Sequence, residues 1–263
     1  MTVPTTTSTG TRTSTSPATR PTTGSAPAPA TAPLAPRSVG TVLVTGGSSG
    51  LGAALVDAVA AAGGTPAVLD VAEPRADVPY AAADLADPGA AQRAVDALVD
   101  QVGPPDAVVT AAGIDACGPL LEIDPGDWER VIRVNLLGTV AVVRATLPYL
   151  EERHGTVVTV ASTLALRGAG DATAYCASKW GIRGFSQALA AEYAGRVGVT
   201  CLIPGGMRTP FFDGRTEQYK PGPDADLNDP AATAGAALTA LTQPPGSEIR
   251  EMLVMASGEA SWP

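Results

Sequence analysis

"TVLVTGGSSGLGAALVDAVAAAGG", residues 41–64, begins as a β-branched apolar run, passes through four closely spaced glycines and becomes an alanine-rich helical pattern. Gly46, Gly47, Gly50 and Gly52 all fall between the strand and the helix. Two readings fit: a tight turn with nothing bound, or a turn whose exposed backbone N–H groups receive a phosphate. Glycine permits φ > 0 and lets a pyrophosphate approach the main chain, while the helix N-terminus adds partial positive charge. Residues further on decide between them. Asp70 closes the next strand 18 residues after Gly52. A carboxylate there accepts both hydroxyls of an adenosine ribose and repels a 2′-phosphate. Turn and carboxylate together favour a nucleotide, with Asp70 as a simple helix cap as the alternative.

Outward from this stretch, short apolar runs alternate with longer helical patterns. Strands are predicted near 40–45, 66–70, 106–111, 156–161, 197–203 and 251–255, with a short one near 78–82. Helices are predicted near 50–62, 88–102, 127–150, 173–194 and 229–242. Strands that are apolar throughout are buried on both faces, as in a parallel sheet covered by helices. Strand–helix alternation then gives right-handed crossovers and a single doubly wound α/β domain over 39–263. Asp127 is expected to cap the helix over 128–150, Pro148 to kink or end it, and Pro88 to occupy a first turn. Residues 204–228 carry no pattern and read as a lid, with Phe211 and Phe212 as apolar material to close it.

Composition narrows the function classes. Residues 1–38 hold 12 Thr and 7 Pro with no acid, and read as a disordered tail rather than a targeting peptide, since no amphipathic pattern is present. Setting aside its three arginines leaves 14 basic residues against 26 acidic ones, a formal −12. Such a domain repels phosphate backbones, so no nucleic-acid partner is expected. Apolar runs are interrupted short of spanning length, so no membrane partner is expected either. Cys117, Cys176 and Cys201 form no CxxC pair and fit buried thiols in a reducing, cytoplasmic compartment. A lone histidine, His154, expected in a helix-to-strand loop, excludes a His-rich metal cluster.

The spacing T-G-G-S-S-G-L-G is TGxxxGxG, and here the chain resembles the short-chain dehydrogenase/reductase family. The resemblance runs from about 40 to 256 through motifs in the expected order: Asp84 in "AADLAD", "AAG" at 111–113, Asn135 in "RVNLLGT", Ser162 at a strand end, Tyr175 and Lys179 as YxxxK, and "PGGMRT" at 204–209. It implies a Rossmann-like fold and a nicotinamide cofactor held by Gly46, Ser48, Ser49, Gly50, Leu51, Gly52, Asp70, Asp84, Leu85, Ala112, Gly113, Tyr175, Lys179, Pro204, Gly205 and Thr209. NAD is preferred over NADP, because Ser48, Ser49 and Val71 offer no cation to a 2′-phosphate, although Arg75 lies close in sequence. A homodimer or homotetramer is implied by analogy.

Tyr175 and Lys179 are four apart on a predicted helix and share one face. A free tyrosine, with a pKa of about 10, is a poor base near neutrality, and a nearby ammonium lowers that value. Only two lysines accompany fifteen arginines, and one of the two occupies this slot. By resemblance the reaction is reversible hydride transfer between a nicotinamide and an alcohol or ketone. Tyr175 is then the proton donor or acceptor, and Ser162 holds the substrate oxygen. Lys179 depresses the Tyr175 pKa and holds the ribose, and Asn135 binds a relay water. Each has a plainer reading: Ser162 as a strand end, Asn135 as a bond to neighbouring backbone, Tyr175 and Lys179 as a surface pair. Leu164, Cys117, Phe211 and Phe212 are expected to line the substrate pocket, and Trp128 and Trp180 to pack. Ala111 stands where the family carries an asparagine, which removes an amide that ties the central strand. The alternatives are a catalytically silent dinucleotide-binding scaffold, against which the Ser–Tyr–Lys–Asn set weighs, and a sugar-nucleotide epimerase, against which the glycine spacing and the lack of a larger substrate domain weigh.

Overall fold

A computed structural model describes residues 35–262; the tail reading for 1–34 lies outside the described residues. β1 (Thr41–Thr45), β2 (Thr65–Asp70), β3 (Tyr80–Ala82), β4 (Ala107–Thr110), β5 (Thr156–Val160), β6 (Gly198–Pro204) and β7 (Glu251–Val254) form one sheet. Their order is β3-β2-β1-β4-β5-β6-β7, and every pairing is parallel. The apolar strand pattern has the expected cause. Alternate residues of each inner strand enter opposite cores: Leu43, Val108 and Val157 face one, Val42, Val44, Val109 and Val158 the other. The first core is covered by α2 (Ala90–Val102), α4 (Thr139–Arg153) and α5 (Thr173–Glu192), and the second by α1 (Gly50–Ala61) and α6 (Pro230–Leu241). Strand order reverses between β1 and β4, and the crevice beyond their carboxyl ends is where a doubly wound sheet receives a ligand.

Three local expectations are corrected. The long helical run begins with α3 (Pro125–Ile132) and is capped by Asp124, not Asp127. The Asp124 carboxylate accepts the N–H groups of Gly126 and Asp127, and Pro125 pre-sets the first turn, so the helix starts before Asp127 is reached. Pro148 neither ends nor interrupts the run, because Leu147 and Leu150 on either side of it are buried in the first core; the helix stops at His154, a left-handed C-cap with φ 50°. Pro88 precedes the first turn, since α2 starts at Ala90.

Between α3 and α4, residues Arg133–Gly138 form a π-helical turn around Asn135. Such wide turns re-aim a side chain inside a continuous helix. The whole run from Pro125 to Arg153 is long and apolar enough to cross a membrane by length and composition, unlike the sequence expectation. Its Val142, Val143, Leu147 and Leu150 are instead buried against the sheet.

Candidate active site

The glycine turn is built for a close approach. Gly46 has φ +69°, and a Cβ there would stand 2.7 Å from the Ala112 backbone; a Cβ at Gly52 would stand 2.0 Å from the Gly46 carbonyl oxygen. Ser49, the N-cap of α1, contributes no side-chain cap. The first-turn amides of a 12-residue helix therefore face the crevice without a side-chain acceptor, the arrangement that suits an anion.

From this turn a cavity of about 550 Å3 runs along the carboxyl ends of the strands. It is lined by Asp70, Asp84 and Leu85 beyond β2 and β3, by Ala112 and Gly113 beyond β4, by Ser162 beyond β5, by Pro204, Gly205 and Thr209 at and beyond the end of β6, and by Tyr175 and Lys179 of α5. Gly46, Ser49, Gly50, Leu51 and Gly52 line it as well. Of the cofactor positions expected, Ser48 alone is outside. Its N–H donates to Asp70 Oδ2 at 2.9 Å and its hydroxyl donates to the Ala72 carbonyl, which turns the side chain toward the exit of β2. Asp70 also accepts from the Ala72 N–H, so it anchors the turn rather than capping a helix. Arg75 does not line the cavity.

Asn135 is fully buried and outside the cavity lining. Its Oδ1 accepts the Ile114 N–H at 2.8 Å, and its Nδ2 donates to the Ile114 carbonyl at 2.9 Å and to Ser178 Oγ at 3.1 Å. The bond to neighbouring backbone is thus present. It ties the loop after β4 to α5, where Ser178 Oγ donates to the Tyr175 carbonyl.

Lys179 is 4% exposed; its Nζ donates to the Val160 carbonyl at 2.8 Å and stands 5.5 Å from the centre of the Tyr175 ring. Burial lowers its pKa to about 8. Tyr175 departs from expectation. Burial drives its hydroxyl well above the ordinary tyrosine range, the Ser162 hydroxyl acts in the opposite sense, and Lys179 is not among the groups that shift it. A charged phenolate loses more by leaving water than the neighbouring groups return.

The lid is pinned at its base, where Met207 pairs with Asn228. It brings Phe211 to 5.7 Å from the Tyr175 ring and Phe212 to 5.5 Å from Phe211. Leu164, Phe211 and Phe212 line the cavity as expected; Cys117 does not, and instead borders a neighbouring cleft, with burial pushing its thiol up to about 12. Trp128 is half-buried and its indole N–H donates to Thr173, whereas Trp180 is 48% exposed. Sequence reasoning missed Ile114, Thr163, Met207, Arg215 and Ser261 in the wall. Arg215 reaches the site through Asp115, 100 residues away, and nothing in either neighbourhood announces that pairing.

A parallel sheet with a phosphate-ready turn and a Ser–Tyr–Lys group at one crevice defines a dinucleotide-dependent oxidoreductase architecture. The family model described as short chain dehydrogenase matches residues 40–220, and the chain belongs to that family. With it go hydride transfer between a nicotinamide cofactor, NAD or NADP, and an alcohol or ketone. The chain is 36% identical over 176 residues to D-threitol dehydrogenase of Mycolicibacterium smegmatis, covering 62% of this chain and 68% of that protein. It is 30% identical over 198 residues to levodione reductase of Leifsonia aquatica, covering 68% and 74%. A crystal structure of levodione reductase shares the fold with a TM-score of 0.75 at 24% identity, over 84% of this chain and 97% of the other.

Proposed function

We propose that the chain is an NAD-dependent alcohol dehydrogenase or ketoreductase acting on a secondary alcohol or its ketone. The observation that carries this reading is that Ser162, Tyr175 and Lys179 line the same cavity as the glycine turn. The cofactor supplies or accepts the hydride. The chain's own residues bind, orient and move the proton. Tyr175 gives its hydroxyl proton to the substrate oxygen during reduction and takes it back during oxidation. Ser162 donates a hydrogen bond to the same oxygen as its charge develops. Among the described residues Lys179 has one acceptor, the Val160 carbonyl, which leaves N–H donors for the nicotinamide ribose. Asn135 holds the Ile114 backbone beside them and orders a water toward Lys179.

Asp70 supports NAD over NADP, since a carboxylate fixed by two backbone N–H groups meets a 2′-phosphate with like charge. Asp84 and Leu85 flank the adenine, and Pro204, Gly205 and Thr209 the nicotinamide. Three free cysteines agree with a reducing, cytoplasmic setting, and a homodimer or homotetramer belongs to the same reading.

The test is a screen of secondary alcohols and ketones with NAD(H), followed by Tyr175→Phe on the best substrate. The expected result is a rate at least 100-fold lower for the variant, about what a positioned acid/base contributes. Full turnover by Tyr175→Phe overturns the acid/base assignment, and tighter NADPH than NADH binding in a fluorescence titration overturns the cofactor assignment.

A further inference from the structure

The lid carries a cation to the substrate end of the cavity. Arg215 lines that cavity, its guanidinium carbon 5.4 Å from the centre of the Phe211 ring, and Phe211 in turn packs on Tyr175. An unopposed cation here would favour the phenolate form of Tyr175. It is opposed: Arg215 Nη2 meets Asp115 Oδ2 at 2.5 Å, and the two side chains are only 20% and 5% exposed. Asp115 belongs to the loop after β4, the same loop whose Ile114 is held by Asn135. A buried pair of this kind adds little stability over an apolar pair, whereas removal of one partner leaves an uncompensated charge.

We propose that Asp115 and Arg215 are paired positioning residues for the reaction: each cancels the other's field at the Tyr175 hydroxyl, so that a lid carrying a cation covers the reacting centre without imposing its charge there. Four segments bring polar or charged groups to Tyr175: Ser162 after β5, Cys176 on α5, Asp115 after β4 and Arg215 on the lid act on its hydroxyl, while Lys179 of α5 stands 5.5 Å from the ring centre. Asp115 and Arg215 act on it in opposite senses, the carboxylate against the phenolate and the guanidinium for it. Asp115 also favours the charged form of Lys179. The proposal rests on the reading of Tyr175 as the acid/base.

The experiment is the pH profile of kcat for alcohol oxidation by the full-length enzyme, for Arg215→Gln, Asp115→Asn, the double variant and Arg215→Lys. Oxidation needs phenolate, so activity rises with pH through the titration of Tyr175. Arg215→Gln leaves the carboxylate alone, and the rising limb moves to higher pH by about half a unit or more; Asp115→Asn leaves the cation alone, and the limb moves to lower pH by a similar amount. The double variant returns toward wild type, and Arg215→Lys stays near it. Shifts of the same sign in both single variants, or lower melting temperatures with no movement of the limb, overturn the proposal. Each single variant carries a specified sign, so misfolding of one leaves the other decisive. If Tyr175→Phe keeps full turnover, the parent reading fails; if Tyr175→Phe is inactive and the limbs do not move, only the paired-charge proposal fails.

Discussion

Replacement of Asn135 by alanine is expected to destabilise the protein by about 2–4 kcal/mol. The wild-type side chain is fully buried and makes three hydrogen bonds. Two of them satisfy both backbone groups of Ile114, the third reaches Ser178. Truncation leaves the Ile114 N–H and C=O without partners, and an unmet buried polar group costs about 1–3 kcal/mol. Ile114 is half-buried and water can reach part of its main chain, so each loss falls in the lower half of that range. Loss of the side chain also releases Ser178 and the turn of α5 that carries Tyr175. For a domain of this size the change corresponds to a fall in Tm of roughly 4–16 °C. Urea unfolding followed by circular dichroism, with thermal melts beside it, measures the loss. A penalty below about 1 kcal/mol would refute the reasoning, because it would mean that water or a backbone shift replaces both Ile114 bonds at no cost.

Thr110, in the position before Ala111, has a buried hydroxyl with no partner among the described residues. Thr110→Val is therefore expected to be neutral or stabilising by up to about 1 kcal/mol in chemical denaturation, and a loss of more than that would show the hydroxyl to be paired. Lys179 has a pKa near 8, below its unfolded value, so the unfolded chain binds more protons between about pH 8 and 10.5 and stability should rise through that window. Tyr175 and Cys117 are raised, and act in the opposite direction as pH climbs past their unfolded values. Denaturation of wild type against Lys179→Met across pH 7.5–10 isolates the lysine; a difference that stays flat with pH contradicts its burial as an ammonium. Asp70→Ala is expected to narrow the NADH-over-NADPH preference by about tenfold or more in fluorescence titrations, with unchanged discrimination as the contrary result.

Much of this was legible in the sequence because it depended on local chemistry. Parallel strands buried on both faces need continuous apolar runs, and β1, β2, β4, β5 and β6 each have one. The glycine spacing, the carboxylate at the end of β2 and the four-residue interval of Tyr175 and Lys179 are likewise constraints that act within a few residues. The start of the long helix was missed because two aspartates three residues apart are equal as caps on paper, and Pro125 decides between them only through backbone geometry. The persistence of the helix past Pro148 depends on burial of Leu147 and Leu150 by strands from elsewhere in the chain. Ser48 was misplaced for a similar reason: its hydroxyl finds the Ala72 carbonyl, 24 residues on. Cys117 donates its thiol to the same Asp115 oxygen that meets Arg215, and that bond holds it in the adjoining cleft rather than in the cavity wall.

Charge was the least legible property of the site. An ammonium four residues from a phenol suggests a lowered tyrosine pKa only if both groups keep their charged forms. Burial opposes both at once: it favours the neutral phenol and the neutral amine. Lys179 nevertheless stays protonated at neutral pH, since about 8 is still above 7, and it does so with the Val160 carbonyl as its acceptor. The ion pair of phenolate and ammonium is therefore reached by moving one proton off Tyr175, not by charging Lys179. What lowers the cost of that step is a hydrogen bond or a positive charge offered to the phenolate form. Within the chain, Ser162 and Arg215 act in that sense and Asp115 against it. The acidity of Tyr175 is accordingly a property of four segments meeting at one point, and the lid, the least patterned segment of the sequence, contributes one of its two opposing charges.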